Sequence, residues 1–171
     1  MTAETVTTPT RPRLPAELLD SSLFLLKRLG FASKERTVEA YAGMGLSPYH
    51  HAVLTVLDEG SRETQGSIAD ALGFDRGQLV GFLDDLEERG LVERRRDPAD
   101  RRRHTVRMTD EGRDELAKLR ALSRRLEDEF LASLSSEQRL QLQALLRQLA
   151  EEHLPNCALT AFASLPSPPQ A

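Results

Sequence analysis

The 171 residues predict a mainly α-helical fold carrying one small β-hairpin. Apolar residues recur at three- and four-residue spacing through most of the chain, the period of a helix with one buried face. Between Arg103 and Met108 the period drops to two, with His104, Val106 and Met108 on one side and Arg103, Thr105 and Arg107 on the other. That alternation is the signature of a strand. With 39% hydrophobic and 29% charged residues, the composition is that of a soluble globular protein of about one domain.

Taken in order, residues 1–13 are Thr- and Pro-containing and read as a flexible tail. Pro15 then opens a long helix, kinked at Gly30, whose apolar stripe is Leu18, Leu19, Leu23, Leu26 and Leu29. Ser47-Pro48 pairs an N-cap with proline at the first helical position, and Val53, Leu54 and Leu57 form a buried face before Gly60 ends the helix. Thr64 caps a third helix with Ile68 and Leu72 inward, closed by Gly73 in a left-handed turn. Asp75 with Gln78 has the form of a capping box for a fourth helix, whose buried stripe is Leu79, Leu83 and Leu86. Two helices separated by a few residues around a glycine have the form of a helix-turn-helix.

The alternating segment pairs with Leu91–Arg95 across Asp97-Pro98-Ala99-Asp100, a turn-forming stretch. Thr109 starts a further helix with Leu116, Leu119, Leu122, Leu126 and Phe130 on one face, and Ser135 with Gln138 opens a last one carrying Leu142, Leu145, Leu146 and Leu149. A Pro-rich stretch, residues 155–171, reads as a second flexible tail.

Net charge is −4, which taken whole argues against a nucleic-acid partner. The average conceals a separation. Between Val92 and Arg107 seven arginines face three acids, a local +4 that leaves −8 for the remainder. A groove-fitting helix beside a basic hairpin points to DNA, one element placed against base edges and the other extending arginines to the backbone. In the first turn of the fourth helix, Arg76 and Gln78 are the types that pair bidentately with guanine and adenine, while Gln78 also has a capping role open to it. Asp75 belongs to the same turn. Gly77 and Gly81, four apart on the non-core face, suit close approach of backbone to DNA or a surface that merely tolerates glycine.

The runs Leu86-Glu87-Glu88-Arg89-Gly90-Leu91-Val92, Arg96-Asp97-Pro98-Ala99-Asp100-Arg101-Arg102 and Val106-Arg107-Met108-Thr109-Asp110-Glu111-Gly112 resemble the signature of the MarR family of winged helix-turn-helix transcriptional regulators. The resemblance covers about Leu14 to Leu154. It implies a homodimeric, sequence-specific regulator and not an enzyme, commonly a repressor, bound to an inverted-repeat operator in double-stranded DNA. In its wing, Asp100 would orient Arg102 into the minor groove, with Arg101 beside it and Arg94, Arg95, Arg96 and Arg103 on phosphates. It implies an N-terminal dimerisation helix over 14–46, a DNA-binding lobe over 47–109 and C-terminal dimerisation helices over 110–154. The leucines support the same partnering: Leu18, Leu19 and Leu23 in the first helix, and Leu142, Leu145 and Leu149 in the last, exceed what one chain can cover.

Relatives of this kind often release DNA on binding a small, frequently aromatic, molecule. Tyr41, Tyr49, His50 and His51 have the chemistry for such a ligand, although each also suits packing or solvent. No cofactor or metal is implied, because His104 and His153 stand far from His50 and His51 and the single cysteine, Cys157, reads as an inert thiol after the last helix. The alternative is a winged-helix module for protein contacts or non-specific DNA architecture. Enzyme motifs, a signal core and apolar membrane spans are missing from the sequence, which implies a cytoplasmic DNA-binding protein.

Overall fold

The computed structural model describes residues 14–60, 64–96 and 104–154. They belong to two compact units, the first ending at Arg36 and the second beginning at Thr37. In the first, α1 (Ala16–Leu19) is a single turn, and α2 (Ser22–Ala42) continues past the unit boundary. The expected single helix kinked at Gly30 is therefore corrected. The break lies at Asp20 and Ser21, where the Ser21 hydroxyl accepts from the Phe24 amide at 3.3 Å and starts a fresh helix, while α2 runs unbroken through Gly30. A serine that satisfies an orphan amide is the cheaper place to interrupt a helix.

The second unit holds the core. Helices α3 (Pro48–Asp58), α4 (Gln65–Leu72) and α5 (Arg76–Glu88) pack against one another, followed by strands β1 (Val92–Arg96) and β2 (His104–Met108) and helices α6 (Asp110–Phe130) and α7 (Ser136–His153). The strands are antiparallel, with Val92 opposite Met108 and Arg94 opposite Val106, and Thr64 bridges to Thr105. Val53, Leu54, Ile68, Leu79, Leu83, Leu86, Val106 and Leu119 are wholly buried, so α3, α4, α5, β2 and α6 each contribute to the core from the face their periodicity predicts. Thr64 and Ser135 cap α4 and α7 as expected, and Gly73 takes the left-handed conformation that ends α4 at φ 64°. Among the described residues no helix is long and apolar enough to cross a membrane.

Two local devices hold the unit together around α5. The first is the start of α6. Thr109 Oγ1 accepts the Gly112 amide at 2.9 Å and donates to the Gly90 carbonyl at 2.7 Å, while the Thr109 amide donates to the Leu91 carbonyl at 3.1 Å. Gly112 lies so close that a Cβ there would stand 2.1 Å from the Leu91 carbonyl oxygen. The second is the start of α3, where the Ser47 amide donates to His50 Nδ1 at 3.1 Å and the His50 amide donates to Ser47 Oγ at 3.4 Å. With Nδ1 accepting, the neutral ring carries its proton on Nε2, which lies 3.2 Å from Asp85 Oδ2 on α5. His50 is buried, and burial pushes its pKa down, partly opposed by Asp85 and reinforced by Arg89.

Gly112→Ala should lower stability by about 1–3 kcal/mol through overpacking, although alanine is the better helix former by about 1 kcal/mol. Urea unfolding measures this, and a midpoint equal to or above that of the wild type would refute the close contact. A second expectation concerns pH. An unfolded histidine binds its proton near 6.5 and folded His50 only at lower pH, so the contribution is whole above that value and falls as the pH drops below it. His50→Gln retains a Ser-x-x-Gln cap without a titrating group. Urea midpoints between about pH 7.5 and 5.5 should decline less in this variant, and parallel declines would count against the assignment.

Candidate functional site

Helix α5 is oriented by its leucines. With Leu79, Leu83 and Leu86 fully buried, its first turn is left outside, and Asp75, Arg76, Gly77 and Gln78 are all exposed. Asp75 caps it, its Oδ1 accepting from the Gly77 amide at 2.8 Å and the Gln78 amide at 3.4 Å. The reciprocal half of the expected capping box is replaced by this one-sided cap, because the short carboxylate closes best on the second helical amide. The Gln78 side chain is thereby not committed to the cap. The two glycines also part ways. A Cβ on Gly77 would lie 3.0 Å from Asp75 Oδ1, which accounts for glycine within the chain, whereas a Cβ on Gly81 would meet nothing within 4 Å.

The hairpin stands beside this helix. Arg94, expected on phosphate, is turned toward α5 in this structure: Nη2 lies 2.6 Å from Asp84 Oδ1 and donates to the Val80 carbonyl at 3.3 Å, while Nε lies 3.7 Å from Glu87 Oε2. The Arg94 backbone amide also donates to Glu87 Oε1 at 3.0 Å, so α5 holds the main chain of β1 as well as its side chain. The positive charge is consumed inside the protein. Arg95 differs, since its side chain is 62% exposed and pairs with neighbouring Glu93 at 2.8 Å, a contact that solvent keeps weak. Asp100, Arg101, Arg102 and Arg103 lie outside the described residues, as do the side chain of Arg96 and all of Cys157.

What sequence reasoning missed is the use of the acidic second half of α5. Asp84 and Glu87, three apart, share the face toward β1, and Asp85 meets His50 of α3 at 3.2 Å and Arg89, the C-cap of α5, at 3.2 Å. Spacings of three and four residues carried the signal, but opposite partners in other elements were needed to interpret it.

The proposed ligand residues do not converge. Tyr41 is buried, its hydroxyl 2.7 Å from His51 Nδ1, and the Tyr41 and His51 rings stack at 5.8 Å. Burial raises the Tyr41 pKa. Burial and then Arg120 lower that of His51. Tyr49 and His50 face the other way, with Tyr49 stacked on Phe82 of α5 at 5.2 Å and His50 edge-on to the same ring at 5.5 Å. Adjacent helical positions diverge by about 100°, which separates the pairs. An open cleft of about 300 Å³ lies elsewhere, lined by Leu57, Asp58, Val106, Arg107, Met108 and Arg113.

The terminal helices carry much apolar surface. Leu18, Leu19 and Leu23 are exposed in the first unit, where Leu23 reaches 78%, and no residue of α7 is buried. On α7 Leu145 and Leu149 are exposed and Leu142 is half-buried. Among the described residues no three His, Cys, Asp or Glu side chains gather as a metal site would require.

A sequence model described as MarR family matches residues 44–103, which spans the helix-turn-helix and the first strand of the hairpin. The chain is 31% identical over 142 residues to a protein of Thauera aromatica assigned to transcriptional regulation of the hcr operon, with 78% of this chain and 84% of that one covered. Among solved structures it is similar to the transcriptional repressor CouR bound to a 23-mer DNA duplex, at 35% identity and a TM-score of 0.72 over 81% of this chain and 99% of that one. CouR from Rhodococcus jostii RHA1 bound to p-coumaroyl-CoA gives 31% identity and 0.64 over 78% and 94%. The order of helices, the hairpin beside the exposed helix turn and these similarities together establish that the chain belongs to the MarR family of transcriptional regulators.

Proposed function

We propose that the chain is a homodimeric repressor that reads an inverted-repeat operator in double-stranded DNA and lets go when a small aromatic molecule binds. The observation that carries this is the exposed first turn of α5, with Arg76 and Gln78 free of the core, held beside the basic hairpin. Arg76 and Gln78 read bases in the major groove, Gly81 permits close approach of the helix, and Arg102, oriented by Asp100, enters the minor groove. Arg95, Arg96, Arg101 and Arg103 supply phosphate contacts that position the chain without specifying sequence. The DNA complex of CouR supports the DNA half of this reading, and its complex with p-coumaroyl-CoA supports the ligand half.

Residues 47–109 form the DNA-binding lobe, and segments 14–46 and 110–154 supply dimerisation helices. Their exposed leucines are the support, because apolar surface of this extent finds cover in a second chain. For the effector, Tyr41 and His51 offer a hydroxyl and an imidazole in contact with each other, and the Tyr49 and His50 pair, packed on α5, is the route by which an occupant would move the reading helix.

Selection from a random duplex pool should enrich an inverted repeat with half-sites about one helical turn, ~10 base pairs, apart. Gel-shift titration at fixed salt should show Arg102→Ala weakening that duplex by about 10- to 100-fold with the dimer intact, and unchanged affinity would count against the wing's role. Gln78→Ala should relax the selected motif, so recovery of the wild-type motif would refute base reading there. Replacing Leu145 and Leu149 together by glutamate should yield monomers in sedimentation; a persisting dimer would remove α7 from the interface.

A further inference from the structure

We propose that Arg94 is a positioning residue for DNA reading: it locks β1 to α5 and so fixes the spacing between the recognition helix and the basic segment that follows β1. The proposal rests on the DNA-binding reading above. Val80, Asp84 and Glu87 lie along one side of α5 and span about two turns, or ~10 Å, and all three meet Arg94. A grip of that length, by guanidinium and backbone amide together, resists both sliding and rotation of the strand against the helix. The arginine side chain is 19% exposed, against 54% for Asp84 and 42% for Glu87, so the cation is the sheltered partner. Its Nε is buried without a hydrogen-bond partner while Nη2 reaches Asp84 and Val80. The fork is held for the helix contact even with one donor unsatisfied, a geometry that a lysine's single ammonium does not reproduce.

The same contact settles the electrostatics of the recognition helix. Asp84 and Glu87 would repel phosphate, and Arg94 offsets part of their charge from within the protein. The basic residues Arg95 and Arg96 and the segment 97–103 follow Arg94 directly in the chain, so the point at which β1 is pinned decides where that segment starts.

The test compares wild type, Asp84→Asn, Arg94→Met and Arg94→Lys on a duplex selected by the wild type and on a scrambled duplex, across a salt series. Asp84→Asn discriminates best, because Asp84 is more than half exposed and the change removes a negative charge near DNA. Charge alone would tighten both duplexes. Positioning instead predicts that affinity for the selected duplex falls about tenfold while the scrambled duplex binds as well or better. Arg94→Met should lose the same discrimination with its log-affinity against log-salt slope within about 0.3 of wild type, whereas a lost phosphate contact lowers that slope by about 0.9. Arg94→Lys should stay low despite its charge. Full discrimination by Asp84→Asn, or a slope reduced by about 0.9 in Arg94→Met with discrimination kept, overturns the role of Arg94 alone. A wild-type chain that enriches no sequence overturns the DNA-reading premise and this proposal together.

Discussion

Burial of Leu79, Leu83 and Leu86 along one side of α5 is the constraint from which the rest of the molecule follows. A helix of 13 residues has room for one buried stripe and one outward turn, and once the leucines are committed the outward residues are decided. Helices α3 and α4 and strand β1 pack against α5, so the helix has little freedom to roll. The polar contacts then refine a position already chosen by packing. His50 reaches Asp85 from α3 and Arg94 reaches Asp84 and Glu87 from β1, which gives the helix a polar partner on each side.

Features governed by near neighbours in the chain were legible beforehand. Ser47, Thr64, Thr109 and Ser135 cap helices where a hydroxyl can reach an amide three residues on, and Gly73 ends one because its φ is positive. The second strand is legible in the alternation of Val106 and Met108 with Thr105 and Arg107, and the first lies one residue later than the expected Leu91–Arg95. The break at Asp20 and Ser21 was not legible, since leucines continue at helical spacing on both sides of it and a serine within such a run has several uses.

The candidate site divides along the same line. Exposure of Arg76 and Gln78 could be foreseen from the leucine period, but the destination of Arg94 could not, because a string of arginines reads as uniform positive charge until the carboxylates of another element are placed against it. Tyr41, Tyr49, His50 and His51 looked like one cluster for a similar reason. Closeness in sequence is not closeness in direction, and consecutive helical residues face different neighbours.

The glycine that lets α6 touch the end of α5 has a mechanical consequence. Helix α6 has 21 residues, so it extends about 30 Å from Gly112 toward Phe130, and its base is pressed onto Leu91 without slack. It acts as a lever whose short arm meets the C-terminal end of α5, about 20 Å along that helix from the turn that carries Arg76 and Gln78. A swing of ~5 Å at the distant end turns the base by only ~10°, so a coarse displacement far from the DNA arrives there as a fine adjustment of angle.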